Sequence, residues 1–495
     1  MRLALVFNPF KYKVHEENLK IVQKYFGMFP PLSLTWVASI ARQAGHDVTL
    51  IDARTLNLSK EEVLKRLKDF RPDIMGFMMT TYMFVDTLEW IRFLKPKLNI
   101  PVVIGGYNLR VYPKESLSHP EIDYGVVEQA LETLPQLLAA LEGKMELKDV
   151  VGLVYKDKGE IKLNPPRPVD FEQFPSPARD LLPNDLYAEF PTERKNFTVM
   201  VTSLGCPYGC EFCEAGRTAY NPRSPQTVVR EMEECYHAYG VREIDIFDYD
   251  FTVDRERTIE ICRTIREKGL DILWACRSRI DIDRGLLEEM AKAGCGRIYY
   301  GIESGSQEIL DRVSKGITLD QIRTTVKHTK ELGMRALGFF LIGAPTDTKK
   351  TVRKTVRFAM ELDLDYVQFS KCLAKPLTPL WEEMVKETGK DYWKDWIVGK
   401  ETDRALPRPW TELSNAEIDR LAKWAYLKYH SRPAFLLKAV CKVRSFAEFK
   451  RKFLGFLEMV FSQENISEKD ERFVAYHEDA GRRDFYRKRA KFSKT

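Results

Sequence analysis

Leu204-Gly-Cys-Pro-Tyr-Gly-Cys-Glu-Phe-Cys213 follows an apolar, strand-like segment and places three thiols in a C-x3-C-x2-C run. Three thiolates so close in sequence can hold three corners of a cubane iron–sulfur cluster, which leaves the fourth iron open to an outside ligand. Gly205 and Gly209 suit a loop that wraps tightly, because glycine tolerates positive φ and close backbone approach. An open iron beside the aromatic Phe212 is the setting in which S-adenosylmethionine (SAM) is chelated and cleaved reductively. Cys206, Cys210 and Cys213 are therefore the expected ligands of a 4Fe–4S cluster. A structural zinc site is the competing reading, but such sites normally close with a fourth ligand. The remaining cysteines, Cys235, Cys262, Cys276, Cys295, Cys372 and Cys441, stand singly and offer no second knuckle.

The rest of the composition sets bounds on this reading. A chain of 495 residues is too long for one ordinary domain, so two or three are expected. Hydrophobic residues at 44% and charged residues at 30% fit a globular protein. Runs of about eighteen apolar residues are lacking, so no membrane span is expected. The first residues, Met1-Arg-Leu-Ala-Leu-Val-Phe-Asn-Pro9, read as a short strand and lack the apolar stretch of a secretory signal. An odd cysteine count of 9 with a tripled thiolate motif suits a reducing compartment, so a cytoplasmic location is expected. A net charge of +6 is slight for this length and gives no reason to expect a nucleic-acid partner.

Upstream of the motif, residues 1–145 alternate strand signals (3–7, 48–51, 74–78, 102–104) with helical ones (32–44, 60–70, 85–97). That alternation predicts a doubly wound parallel sheet. Ligands of such sheets lie at the carboxyl ends of the strands, where Gly105, Gly106 and Tyr107 fall. An ordinary βα turn would use the same glycines. Residues 146–192 read as a hairpin followed by a proline-rich connector. Residues 193–400 alternate again, with strands expected at 198–203, 244–247, 273–276, 297–302, 336–342 and 366–370. Six consecutive parallel βα units predict a partial (β/α)6 barrel with its site at the carboxyl mouth, where the cysteine loop follows the first strand. Residues 401–495 read as a helical region that opens with the capping box Ser414-Asn-Ala-Glu417. Its basic, aromatic stretch 433–461 fits a docking helix or a peripheral membrane contact.

Each strand end offers a polar group toward that mouth. Asp248 and Asp250 follow the second strand and can accept from the ammonium of SAM, although helix capping could claim one of them. Arg279 follows the third and can pair with the SAM carboxylate, or with Asp281 or Asp283. Glu303 and Ser304 end the fourth and can bind ribose hydroxyls. Gly343 ends the fifth and lets an adenosine approach the backbone.

These residues closely resemble the radical SAM superfamily over roughly 196–381. Gly301-Ile-Glu-Ser-Gly-Ser306 with Lys315, and Leu341-Ile-Gly-Ala-Pro-Thr-Asp-Thr348, are similar to its later strand signatures. The whole layout resembles the subgroup with an N-terminal cobalamin-binding domain, which includes anaerobic magnesium-protoporphyrin monomethyl ester cyclase and radical methylases. Pro30-Pro-Leu-Ser-Leu-Thr-Trp36, Ala44-Gly-His-Asp-Val-Thr-Leu-Ile-Asp52, Val103-Ile-Gly-Gly106 and Pro175-Ser-Pro-Ala-Arg-Asp-Leu-Leu-Pro183 carry that similarity. Three departures stand out. No Asp-x-His-x-x-Gly occurs, Glu128-Gln-Ala-Leu131 replaces a Gly-Glu-Gly-Glu turn, and Pro376-Leu-Thr378 replaces Pro-Gly-Thr.

The resemblance implies a 4Fe–4S cluster, SAM and cobalamin as cofactors. It also implies an electron donor such as ferredoxin or flavodoxin and a small-molecule, hydrophobic substrate of lipid or tetrapyrrole kind. Methylation of an unactivated carbon is the first expectation and radical cyclisation or ring rearrangement the second. A non-enzymatic cobalamin or metal sensor is the contrasting class. Methylthiolation is disfavoured because there is no second cysteine cluster.

Overall fold

The computed structural model describes residues 1–10, 27–189, 192–194, 196–400 and 406–433. The basic stretch expected to dock or touch a membrane lies almost wholly outside these residues. Short runs rich in Leu, Val and Ile form the strands of a seven-stranded sheet. They are β1 (Arg2–Phe7), β3 (Asp47–Asp52), β4 (Ile74–Met78), β5 (Val102–Gly105), β6 (Tyr124–Val126), β7 (Leu153–Asp157) and β8 (Glu160–Leu163), in the order β3-β1-β4-β5-β6-β7-β8. The strands β3 to β6 and β1 pair in parallel, and β7 and β8 add on antiparallel. The hairpin expected inside the connector thus extends this sheet. Helices Leu32–Gln43, Lys60–Phe70 and Phe84–Leu98 match the expected periodic segments, and Ser59 opens the second with a capping box. Their apolar faces and the sheet form two cores, one on each side.

The connector is held by specific contacts. Short strand β2 (Gly27–Met28) pairs antiparallel with β9 (Ala188–Glu189). Arg179, fully buried, donates to the Thr198 hydroxyl (2.7 Å), to Val199 O (2.9 Å) and to Glu231 (2.7 Å). Arg223 takes the other oxygen of Glu231 at 2.5 Å. This buried triad pins the proline-rich segment to the second unit, which the proline pattern alone could not indicate.

In that unit β10 (Phe197–Met200), β13 (Glu243–Ile246), β14 (Leu273–Ser278), β15 (Cys295–Glu303), β16 (Arg335–Ile342) and β17 (Tyr366–Lys371) pair in parallel in chain order, leaving an open-edged half-barrel. Helices Pro225–Ala238, Arg255–Glu267, Arg284–Lys292, Leu319–Glu331 and Lys349–Glu361 cover its outer face. Helix Asn415–His430 packs beside β17, with Tyr426 and Tyr429 fully in the core. Among the described residues no helix is long and apolar enough to cross a membrane.

Candidate active site

The cysteine loop is closed at its base by β11 (Ser203–Leu204), which pairs antiparallel with β12 (Asn221–Pro222). Inside this clamp the loop folds on itself. Thr218 N donates to Cys206 O (3.1 Å), the Thr218 hydroxyl accepts from Cys206 N (3.0 Å), and Arg217 N reaches Tyr208 O (2.8 Å). Gly205 has φ 76°, and a Cβ there would lie 2.0 Å from Ala219 O, so only glycine fits. Gly216, which the sequence reading passed over, packs against the carbonyls of Cys210 and Cys213, each 3.1 Å from where its Cβ would be. Gly209 meets only the end of Arg217 and needs no positive φ. The loop is also tied down from outside. Glu211 accepts from Arg312 (2.5 Å) and from Ser314 (3.1 Å).

Cys206, Cys210 and Cys213 are free thiols that act electrostatically on one another. Burial pushes the Cys206 thiol up and the Cys213 thiol up to about 11. Holding all three as thiolates therefore needs positive charge, which iron supplies. Among the described residues no three of His, Cys, Asp or Glu converge on a point that one metal ion could occupy. A cubane takes each thiolate on a separate iron. The loop fits the cluster.

The strand ends surround this loop, and the expected residues divide into two groups. In the first group, Arg279 directs Nη1 at Cys210 Sγ (3.9 Å) and stacks 4.0 Å over Tyr208. It is braced by Asp281 (3.1 Å) and Lys315 O (2.7 Å). Asp250, 2% exposed, is held through Oδ1 by Thr252 and lies within electrostatic reach of Cys206 and Arg279, and burial raises its carboxyl. Glu303 sits at φ 67° beyond a register shift in β15 and accepts from Lys315 (2.8 Å). Among the described residues no donor reaches its second oxygen. Lys315 also lies 5.9 Å from the Phe212 ring, which ties the fourth strand to the cysteine loop. A Cβ on Gly301 would meet both Glu303 and Lys315 at 2.7 Å, so that glycine makes room for the pair.

The second group is corrected by the structure. Asp248 is fully buried and accepts from Thr202 N (2.6 Å), the Thr202 hydroxyl (2.6 Å) and the Ser203 hydroxyl (2.7 Å). Both its oxygens are engaged in fixing the start of the cysteine loop. Helix capping claims neither of the two acids, because Asp254 caps the next helix. Ser304 turns away from the mouth, pairing with Thr355 (3.1 Å) and capping Ser306 N (3.1 Å). Gly343 has φ 76°, but the space beside it is filled by Ile418 at 2.6 Å, so it admits the C-terminal helix rather than an adenosine.

The other half of the site comes from the first sheet. Gly105 ends β5 with nothing within 4 Å of a would-be Cβ, an open cradle at a strand end. Gly106 at φ 119° packs against Met79 O, where a Cβ would come to 2.6 Å. Tyr107 reaches Pro376 O at 3.4 Å, and its phenol is raised by burial and by Glu214 and Cys213. The carboxyl end of β5 therefore lies against the loop after β17 and within electrostatic reach of Cys213. Tyr249 stands there too. It is 51% exposed, and its phenol is pushed up to about 12 by desolvation and then by Glu214 and Cys213.

Two buried polar atoms at neighbouring strand ends, Asn8 Oδ1 and Thr81 Oγ1, have no hydrogen-bond partner among the described residues. Orphans of this kind beside an open glycine suit a polar cofactor tail. The altered turn at Glu128 keeps the left-handed backbone (φ 64°) without glycine, at a cost of about 1–2 kcal/mol, and Glu128 pairs with Arg110 at 3.2 Å. The residues present thus fit cobalamin, without a histidine ligand.

Comparison with known proteins agrees with this geometry. Residues 200–359 match the Radical SAM superfamily and residues 19–138 the B12 binding domain. An uncharacterized methyltransferase of Pyrococcus horikoshii is 33% identical over 469 residues, covering 93% of this chain and 99% of the relative. The anaerobic magnesium-protoporphyrin IX monomethyl ester cyclase of Rubrivivax gelatinosus is 27% identical, covering 72% of this chain and 67% of its own. Among solved structures, the cobalamin-dependent SAM radical enzyme OxsB has a TM-score of 0.67 at 18% identity, covering 93% of this chain and 71% of that one. The radical SAM methyltransferase TsrM of Kitasatospora setae has a TM-score of 0.62 at 22% identity, covering 78% and 74%. With cysteine loop, half-barrel and strand-end cradle in place, the chain belongs to the radical SAM superfamily, among the members that carry a B12-binding domain.

Proposed function

We propose that the protein methylates an unactivated carbon of a small, largely apolar molecule, using SAM and cobalamin. The observation that carries this reading is the approach of the two halves: Tyr107 of the B12-binding unit lies against the loop after β17 and within electrostatic reach of Cys213. When bound, the cluster supplies the electron that splits SAM into methionine and a 5′-deoxyadenosyl radical, and cobalamin carries the methyl group. The chain's own part is placement and exclusion of water. Cys206, Cys210 and Cys213 would hold the cluster, with Arg279 setting the charge beside Cys210. Asp250 and the free oxygen of Glu303 would orient SAM. Gly105, Gly106 and Tyr107 would line the corrin side.

In this reading residues 1–145, with the hairpin of 146–192 added to their sheet, and residues 193–400 are the two working units, the rest of 146–192 joins them, and 401–495 follow. A cytoplasmic ferredoxin or flavodoxin would deliver the electron. Cyclisation is the second reading, favoured by the 27% identity to the magnesium-protoporphyrin cyclase.

The test loads the reconstituted protein with hydroxocobalamin and SAM labelled in its methyl group, under reductant and without further substrate. Methylation predicts label co-eluting with protein-bound corrinoid. Unlabelled corrinoid together with 5′-deoxyadenosine would instead favour the cyclase reading, and a sensor would give neither.

A further inference from the structure

The inner face of the half-barrel carries a charged group of residues that the cluster and SAM do not use. Glu243 and Asp245 of β13, Arg277 of β14, and Arg297 and Tyr299 of β15 share that face, because their neighbours Ile244, Cys276 and Ile298 pack outward against the helices. Most of the group is satisfied internally. Arg297 donates to Glu243 and to the Tyr299 hydroxyl (3.2 Å), and Tyr299 donates to Glu189 (3.1 Å). Glu243 also accepts from the backbone N–H groups of Glu193 and Arg194, both at 2.7 Å. Burial, and then Asp245, lifts the Glu189 carboxyl well above its ordinary range.

Arg297 Nη2, Glu189 Oε2 and Asp245 Oδ2 are buried without a hydrogen-bond partner among the described residues, and Arg277 differs from them in being partly exposed. Its Nη1 donates to Asp245 Oδ1 (3.0 Å) and Ile246 O (3.0 Å), and among the described residues nothing accepts from Nε or Nη2. The guanidinium lies 3.6 Å over the Phe247 ring and 5.1 Å from that of Tyr299, which fixes its plane. The side chain is 20% exposed, while the Asp245 behind it is fully buried. Uncommitted donors on a braced arginine meet whatever fills the lumen. Phe339 and Leu341 of β16, both half-buried on the same face, add an apolar strip beside it. Arg277 lies two residues before Arg279, roughly 7 Å down the strand from the layer that faces the cysteine loop.

We propose that Arg277 grips an oxyanion of the substrate, a carboxylate or a phosphoryl group, and that the substrate's apolar skeleton runs up the lumen from it toward the cysteine loop. This rests on the reading of the chain as a radical methylase. A planar fork suits such an oxyanion better than a neutral acceptor.

The test measures binding of 2-naphthoate, 2-naphthyl phosphate and 2-naphthalenemethanol to the cluster-loaded, cobalamin-loaded protein by equilibrium dialysis. At least one of the two anions should bind the wild type about tenfold or more tighter than the alcohol, and the tighter of the two identifies the oxyanion. The preference should vanish in the charge-matched double variant Asp245→Asn with Arg277→Gln and shrink in Arg277→Lys, which keeps Asp245 paired. An alcohol that binds wild type as tightly as both anions, or no binding of any probe at millimolar concentration, overturns the assignment, as does a preference that survives in the double variant. The wild-type comparison decides the matter even where a variant fails to fold. 5′-Deoxyadenosine formed by wild type without a probe preference removes Arg277 alone, whereas a preference without 5′-deoxyadenosine removes the methylase reading.

Discussion

Replacing Gly205 by alanine is expected to prevent cluster assembly while the half-barrel stays folded. The residue sits at φ 76°, where a non-glycine costs about 1–2 kcal/mol. The larger effect is steric. The new Cβ would lie 2.0 Å from Ala219 O and 2.8 Å from the carbonyl carbon, both backbone atoms with no rotamer to escape into. The returning strand of the loop must retreat by about 1 Å, roughly twice the 0.5 Å within which a ligand set keeps its geometry. That retreat also breaks the paired Cys206–Thr218 hydrogen bonds, each contributing about 1 kcal/mol. Opening the loop relieves all of this without touching the outer core of the barrel. The assay is iron and sulfide per chain after anaerobic reconstitution, beside far-ultraviolet circular dichroism. Wild type should approach about four of each, and Gly205→Ala should fall below about one with unchanged secondary structure. Gly209→Ala, whose Cβ meets only Arg217 Nε at 3.3 Å, should load normally. Full loading of Gly205→Ala would refute the reasoning, because the loop geometry would then not be what holds the cluster.

Other perturbations give separate readings. Lys315→Met leaves Glu303 buried without its partner and should lower stability by about 3–5 kcal/mol, seen as a fall in the urea midpoint, and should weaken SAM binding in equilibrium dialysis. Arg179→Met breaks the buried triad with Glu231 and Arg223. A loss of similar size is expected, with proteolysis appearing first in the connector. Asp347 is raised by burial to about 6, above its unfolded value near 3.8. Its contribution to stability is therefore full below the unfolded value and is lost as pH rises through about 6, a change of about 3 kcal/mol. Asp347→Asn should flatten that part of the stability profile in urea titrations across pH 4 to 7. Gly343→Ala, with φ 76° and Ile418 at 2.6 Å, should detach helix Asn415–His430 and be partly rescued by Ile418→Ala.

The strands and helices were legible because their periodicity is strong. The six parallel strands of the half-barrel fall within a few residues of where alternation puts them. The metal loop was legible from residue type and spacing alone. What sequence could not convey is which polar side chains remain free. Asp248 and Asp250 differ by two positions and are the same chemical group, yet Asp248 is taken up by Thr202 and Ser203 while Asp250 lies within electrostatic reach of Cys206. Only the fold brings those hydroxyls within reach. Glycines pose the same difficulty. Gly205 and Gly343 share a left-handed φ, but one closes the cysteine loop and the other admits Ile418. The Glu128 turn shows the converse, since a non-glycine holds the left-handed conformation with help from Arg110. Arg277 escaped notice because a strand arginine reads as an ordinary half-buried cation until Asp245, Phe247 and Tyr299 are seen around it.

The central claim is that Cys206, Cys210 and Cys213 present an iron to SAM. Its most direct measurement is chromatographic quantification of 5′-deoxyadenosine after anaerobic incubation of reconstituted protein with SAM and dithionite. Wild type should form it in time-dependent fashion, and a variant with all three cysteines changed to alanine should form none. Wild-type protein that carries zinc in place of iron, or that holds a full cluster and yields no 5′-deoxyadenosine, would contradict the account.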